Sequence, residues 1–407
     1  MASQDQVFRW VKESLTNQDF NIKDVHITGS TGNDQGYMGE VIFVEAEGVT
    51  NEGSEKKIHL VVKHGKINEH LRKTTPVREV FVSEIYTYDN IFPVFQKFQK
   101  ERGVEIFDSV PKCYKCLMFE HMEVIVLQNL KKVGYDLHDR KKPMDIDHLE
   151  IVLKEYGKFH ATSFAMRDQD YELFEKLTEN LPNVYKSFME LPDIDSFILS
   201  STAIVIDILK KYKDEDLCKK FEKLMERGIT NILMDVVDIR DPKAVICHGD
   251  CWNNNFMFKY ENEDKKKPSR VSILDWQIST LWSPVYDLSY FLYAVCSTDQ
   301  LVHFDDLLVL YYDSFSTYLS QLGSNPEELF PFSELKEHWK KYSIFGLIQM
   351  TIILRFALCD KEDAPSLTDL TEDSNFAELL DSIPVTEEDL FYERMKAVMC
   401  HYFDSTA

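Results

Sequence analysis

Residues 1–20 place Val7, Phe8, Val11 and Leu15 at helical spacing and read as an amphipathic helix. Short β-favouring runs follow at Val25–Thr28, Glu40–Glu45, Ile58–His64, Lys112–Glu120 and Glu123–Leu127. One long helix is predicted among them, Val77–Phe92, with Val77, Val80, Phe81, Ile85, Tyr88 and Phe92 on its apolar face. From about Asp145 the apolar spacing becomes helical, apart from the hairpin region described next. The pattern is α+β: a small, mainly β N-terminal lobe (1–130) followed by a larger, mainly α lobe (131–407). The joint falls at Gln128-Asn129-Leu130-Lys131, and no repeat or low-complexity stretch appears.

The exception to the helical pattern carries the candidate chemistry. Asn255–Tyr260 and Arg270–Asp275 are both β-favouring, and the polar stretch Glu261–Ser269 between them reads as a hairpin loop. In an antiparallel pair, Asn255 and Asp275 would face each other at roughly 5 Å. Asp250 lies on the loop just before the first strand, in His248-Gly249-Asp250-Cys251-Trp252-Asn253-Asn254-Asn255. Phosphoryl transfer from ATP needs such a set: one group for the attacking hydroxyl and others for the metal ions bridging the phosphates. Hard oxygen donors suit Mg²⁺ rather than Zn²⁺. Each residue alone reads as an ordinary turn former, since Asp and Asn bond their own backbone in loops. The joint pattern is much harder to obtain by chance.

Lys63 ends the run Ile58–Lys63, and Glu84 falls on the apolar stripe of the predicted helix. A buried carboxylate is costly unless paired. Either Glu84 sits at the stripe edge and reaches water, or the helix packs on the sheet and Glu84 pairs with Lys63. Gly29, Gly32, Gly36 and Gly39 fall between two strands in a loop that could approach phosphate, but no Gly-Lys-Ser/Thr of a P-loop is present. Cys113-Tyr114-Lys115-Cys116 has no second pair at metal spacing and reads as structural. Cys251 as a nucleophile would need a base and an oxyanion hole that nothing identifies.

Composition narrows the classes. With 46 basic and 69 acidic residues the net charge is −23, which argues against nucleic acid or an anionic membrane as partner. The apolar stretch Ile344–Cys359 is too short for a membrane span and is broken by Gly346, Gln349 and Arg355, so a buried helix is expected. The residues after Asp360 are rich in acids and are expected to be solvated surface. Eight scattered cysteines and no export signal at Met1–Asp5 lead to an expectation of reduced thiols and a cytoplasmic protein.

These residues together resemble a known group. The order of glycine loop, strand lysine, helix glutamate, His-Gly-Asp-x-x-x-x-Asn and Leu274-Asp275-Trp276-Gln277 is similar to the choline-kinase and aminoglycoside-phosphotransferase branch of the protein-kinase-like fold. More closely, with Cys247–Asn255, Ser283-Pro284-Val285-Tyr286-Asp287-Leu288, Lys158-Phe159-His160-Ala161 and Leu329-Phe330-Pro331-Phe332, it resembles the ecdysteroid kinase-like (CHK kinase-like) family of insects.

The resemblance implies a two-lobed, monomeric kinase, its N-terminal lobe binding ATP, acting on a small-molecule hydroxyl such as that of an ecdysteroid or a foreign alcohol or phenol. It implies Asp250 as catalytic base, Asn255 and Asp275 as Mg²⁺ ligands, and Lys63, held by Glu84, on the ATP phosphates. The Gln128–Asn129–Leu130 backbone would read adenine. The family usually has Glu-Asp where this chain has Gln128-Asn129. Asp287 is expected to cap a helix and brace the catalytic loop, His248 to orient that loop, and His160 to pack. A catalytically inactive binding protein on the same fold, or a choline- or aminoglycoside-type kinase, is the alternative. A protein kinase is disfavoured because His-Arg-Asp, Asp-Phe-Gly and Ala-Pro-Glu are missing at the relevant places.

Overall fold

The computed structural model describes residues 2–16, 18–30, 38–192, 194–237, 241–262, 265–360 and 376–407. Most of the glycine loop, at 31–37, therefore lies outside the described residues, as does much of the acidic stretch, at 361–375.

The N-terminal part is a five-stranded antiparallel sheet: β1 (Asn21–Ser30), β2 (Gly39–Val49), β3 (Glu55–Gly65), β4 (Cys113–Phe119) and β5 (Met122–Gln128), in the order β1-β2-β3-β5-β4. Alternation in sequence becomes alternation in burial. Ile42, Val44 and Ala46 of β2 and Ile58, Leu60 and Val62 of β3 face the helix Gln4–Leu15, which supplies Val7, Trp10, Val11 and Leu15. That helix is shorter than the 1–20 expected and starts at a capping box formed by Ser3 and Gln6. A one-residue slip of β3 would turn this face outward.

The helix from Val77 runs further than expected and in three pieces. An α segment Val77–Tyr86 passes through a π turn, Thr87–Ile91, into an α segment Phe92–Glu101. Pro93 explains the break. It offers no N–H to the preceding turn and its ring crowds the carbonyl four residues back; the wider turn, in which the Phe92 N–H reaches Thr87 O, absorbs the misfit.

The remainder is mostly helical around one large core. Ile125 and Leu127 of β5, together with Val77, Phe81, Phe92 and Phe95, belong to this core and not to the one under β2 and β3. Phe92 and Phe159 both meet Trp276 edge-on, with ring centroids 5.0 and 4.9 Å away. After β6 (Tyr135–Leu137) and β7 (Val245–Cys247) come β8 (Phe256–Tyr260), β9 (Pro268–Ile273) and β10 (Thr280–Trp282); β6, β8 and β9 form a three-stranded sheet in that order, and β7 pairs with β10 in a two-stranded ribbon. The helix Val285–Val295 is buried along its whole length, and Ile344–Leu358 crosses it closely. A Cβ at Gly346 would lie 2.5 Å from the backbone of Ser289, so the crossing needs a glycine.

Ile344–Leu358 is a buried helix, as its composition suggested. Among the described residues no single helix is long and apolar enough to cross a membrane. All eight cysteines are free thiols. The C-terminal residues correct an expectation. The helix Glu388–Ser405 is not plain solvated surface: Phe391, Met395, Val398 and Met399 are buried. Its apolar positions recur at helical spacing within an acidic composition.

Candidate active site

The hairpin β8–β9 forms with Phe256 opposite Ile273, so the register differs by one residue from the expected pairing of Asn255 with Asp275. Asn255 O instead accepts from Leu274 N–H at 2.8 Å. Asp275 lies one residue beyond the pair and adopts a left-handed conformation, φ 63° and ψ 60°. That conformation is strained for a residue with a Cβ. It is held by Trp276, which is fully buried and donates its indole N–H to Ile273 O at 3.1 Å. The anchored ring lets the carboxylate turn toward the β sheet.

There it meets Lys63. The ammonium bonds Glu84 Oε2 at 2.6 Å and also reaches Asp275 Oδ1. The choice left open for Glu84 is decided: it is 1% exposed and paired. Burial opposes the charge of Lys63, but Asp275 and Glu84 outweigh it and hold its pKa above the ordinary lysine value. Burial pushes the Glu84 carboxyl up, with Lys63 pulling the other way. This trio ties β3, the Val77 helix and the end of the hairpin together.

Asp250 sits at the same end. Asn255 Nδ2 donates to both its backbone O, at 2.9 Å, and its Oδ2, at 2.8 Å. Tyr290 OH donates to its Oδ1 at 3.2 Å. Burial, then the charge of Asp275, raises the Asp250 carboxyl to about 7, against the pull of Asn255, Tyr290 and Lys63.

A buried network shapes the loop that presents Asp250. Asp287 is the centre of it. It accepts from His248 N–H at 2.7 Å, Gly249 N–H at 2.9 Å and Cys251 Sγ at 3.2 Å, and meets His160 Nε2 at 3.1 Å. Burial alone would raise its pKa; the bond from His160, the nearby imidazoles and the Gly249 N–H reverse this and hold it below the usual carboxylate range. Asp287 lies inside the first turn of Val285–Val295 and does not cap it; Pro284 stands at the cap position. The bracing expected of it comes from the loop N–H groups. His248 Nε2 lies 2.8 Å from Leu274 O, which joins the loop to the hairpin strand. His160 packs and also bonds, its Nδ1 lying 3.0 Å from Tyr311 OH. His160, Cys247 and Asp287 lie close enough to suggest a metal cluster. The bonds just given to His160 and Asp287, with Cys247 Sγ turned to the carbonyls of Trp282 and Ser283, describe a hydrogen-bond network instead.

Gly249 has φ +85°, and a Cβ there would stand 2.4 Å from Ile278 O. Gly249→Ala is therefore expected to cost about 1–3 kcal/mol and to displace Asp250. Thermal unfolding together with turnover checks this; wild-type behaviour in both would contradict the described loop.

The Gln128–Leu130 segment does not present all three N–H groups. Gln128 N–H bonds Lys112 O at 2.9 Å and Asn129 N–H bonds His59 O at 3.0 Å. Both are consumed by neighbouring chain segments, which leaves Leu130 N–H as the segment's donor for a ligand. Two contributors escaped the sequence reading. Tyr290 lies three residues after Asp287, on the same helix face, and that spacing could have revealed it. Tyr156, whose OH lies 3.2 Å from His248 Nδ1 and 3.1 Å from Cys251 Sγ, left no local signal.

The donor set fits Mg²⁺. Asp250 and Asp275 repel each other across a partly buried site, and the Asn255 amide nitrogen is committed to Asp250, leaving its carbonyl oxygen for a cation.

No curated protein matches the chain. Among solved structures it is similar to a GDP complex of a mutant aminoglycoside 2′-phosphotransferase-IIIa, with TM-score 0.44, 12% identity, and 99% and 98% of the two chains covered. It is also similar to a macrolide 2′-phosphotransferase from Brachybacterium faecium (TM-score 0.33, 10% identity, 84% and 93% covered). A putative fructosamine-3-kinase from Haemophilus somnus 129PT scores 0.34 at 12% identity, with 92% and 96% covered. These scores are too low for the likeness to bear on the site. The sequence model of the ecdysteroid kinase-like family matches residues 33–324, more than half of the chain, and the protein belongs to that family.

Proposed function

We propose that this protein is an ATP-dependent kinase that transfers a phosphoryl group to a hydroxyl of a small hydrophobic alcohol, an ecdysteroid or a foreign alcohol or phenol. The observation that carries the reading is the double engagement of Lys63 with Glu84 and Asp275, at the end of the hairpin where Asn255 holds Asp250. A fixed cation, three carboxylates and the Asn255 amide thus meet at this end of the hairpin, the groups that phosphoryl transfer calls for.

In this reading Glu84 keeps Lys63 extended toward the nucleotide phosphates. Asp275 and Asn255 would hold Mg²⁺, which when bound neutralises charge on the phosphates. Asp250 accepts the proton of the attacking hydroxyl, with Asn255 and Tyr290 fixing its carboxylate. Leu130 N–H would contribute to adenine binding. Aromatic rings adjoin the base: Tyr290 and Tyr185 both contact Phe345, with centroids at 6.1 and 5.6 Å.

The test is an ATP-consumption screen against ecdysteroids, phenols, glucosides and choline, read by mass spectrometry for a product heavier by one phosphoryl group. A phosphorylated steroid or phenol is expected. ATP binding with no product from any hydroxyl compound would favour an inactive binding protein, and a product from choline alone would overturn the apolar acceptor.

A further inference from the structure

A second cavity of about 950 Å³ lies between the helices Phe304–Gln321, Phe332–Tyr342 and Glu388–Ser405, and none of the residues of the Asp250 site lines it. Its volume is that of a small-molecule site. One wall is aromatic: Phe304 packs on Trp339 and on His401, with centroids 4.5 and 4.3 Å apart. His401 adds no charge to this wall, because burial lowers its pKa to about 4. The rim carries side chains of both signs, so it gives the cavity no clear charge.

Arg394 also lines the cavity and is 1% exposed. Its Nη2 donates to Ala294 O at 2.8 Å. Its Nε and Nη1 are buried without a hydrogen-bond partner, and it makes no ion pair among the described residues. The nearby Cys296 thiol is no counter-ion, since burial pushes its pKa up to about 12. A guanidinium stays charged in proteins. A buried, unpaired cation with two idle donor nitrogens is unfavourable unless an anion reaches it. A carboxylate supplies the charge and the acceptors in one group.

We propose that this cavity binds a small amphipathic carboxylate, its anionic end on Arg394 and its apolar body against Phe304, Trp339 and His401. The ligand class is set by the aromatic wall and by the idle donors of Arg394: one negative charge, and a flat or aliphatic body.

The test is calorimetric titration of the full chain with 2-naphthoate and with its neutral counterpart 2-naphthamide, with and without saturating ATP. Naphthoate is expected to bind roughly tenfold or more tightly than naphthamide, and ATP is expected to leave this unchanged. Arg394→Met, which keeps length and removes charge, should erase the preference. Ala397→Trp, which fills the cavity and keeps the guanidinium, should abolish binding and decides the matter if Arg394→Met fails to fold. Equal affinity for the two probes, no naphthoate binding, displacement by ATP, or full binding in Ala397→Trp would each overturn the proposal.

Discussion

Replacing Asp250 by Asn is expected to lower kcat by about 10²- to 10⁴-fold, the usual contribution of a positioned general base. The substitution keeps the shape of the side chain and an oxygen for Asn255 Nδ2, so the loop should hold its course. Nucleotide affinity should change little, because Lys63, Glu84 and Asp275 are untouched. Stability should stay level or rise, since a partly buried carboxylate beside Asp275 is neutralised. Single-turnover kinetics, nucleotide titration and thermal unfolding separate these effects. Turnover within tenfold of wild type, with binding and stability intact, would sink Asp250 as the base.

Asp287→Ala is expected to produce the largest loss of stability, about 3–5 kcal/mol. The carboxylate is wholly buried and serves two backbone N–H groups and His160. Removing it strands all of these donors and leaves a void between the loop and the helix Val285–Val295. Asp287→Asn keeps one oxygen and most of the volume, and should cost about 1–3 kcal/mol. The sign of the pH dependence follows from the depressed native pKa. The Asp287 contribution is present above the unfolded value of about 4 and is lost as pH falls through the lower folded value. Urea unfolding at neutral pH and below pH 4 checks both points. Wild type should lose more stability than Asp287→Asn over that interval. An Asp287→Ala protein as stable as wild type at neutral pH would show that the loop is held by something else.

Much of this architecture was legible in the order of residue types. The strands were readable because one sheet face is buried, which forces alternation along β2 and β3. Lys63 and Glu84 were readable as a pair because a carboxylate on an apolar stripe needs a counter-charge, and a strand-end lysine was at hand. The end of the hairpin was readable to within one residue. The missing residue is the left-handed Asp275, whose conformation depends on where Trp276 is buried. Helix ends were less readable: the run from Val77 outlasted its apolar stripe because Pro93 is accommodated by a π turn and not by a stop.

By itself the sequence determined the α+β division, the placing of Asp250, Asn255 and Asp275 at one hairpin and the loop before it, and the candidacy of Lys63 and Glu84 as a pair. These are matters of period, spacing and chemistry along a line. Only the tertiary structure decided that Asp287 braces the loop and does not cap its helix, that Tyr290 holds Asp250, that two of three N–H groups at Gln128–Leu130 are already bonded, and that Arg394 lies buried without a partner. Each of these depends on which groups meet across elements far apart in the chain. Hydrogen bonding and desolvation at such meetings are set by three-dimensional neighbours, and no local pattern of apolar and polar positions encodes them.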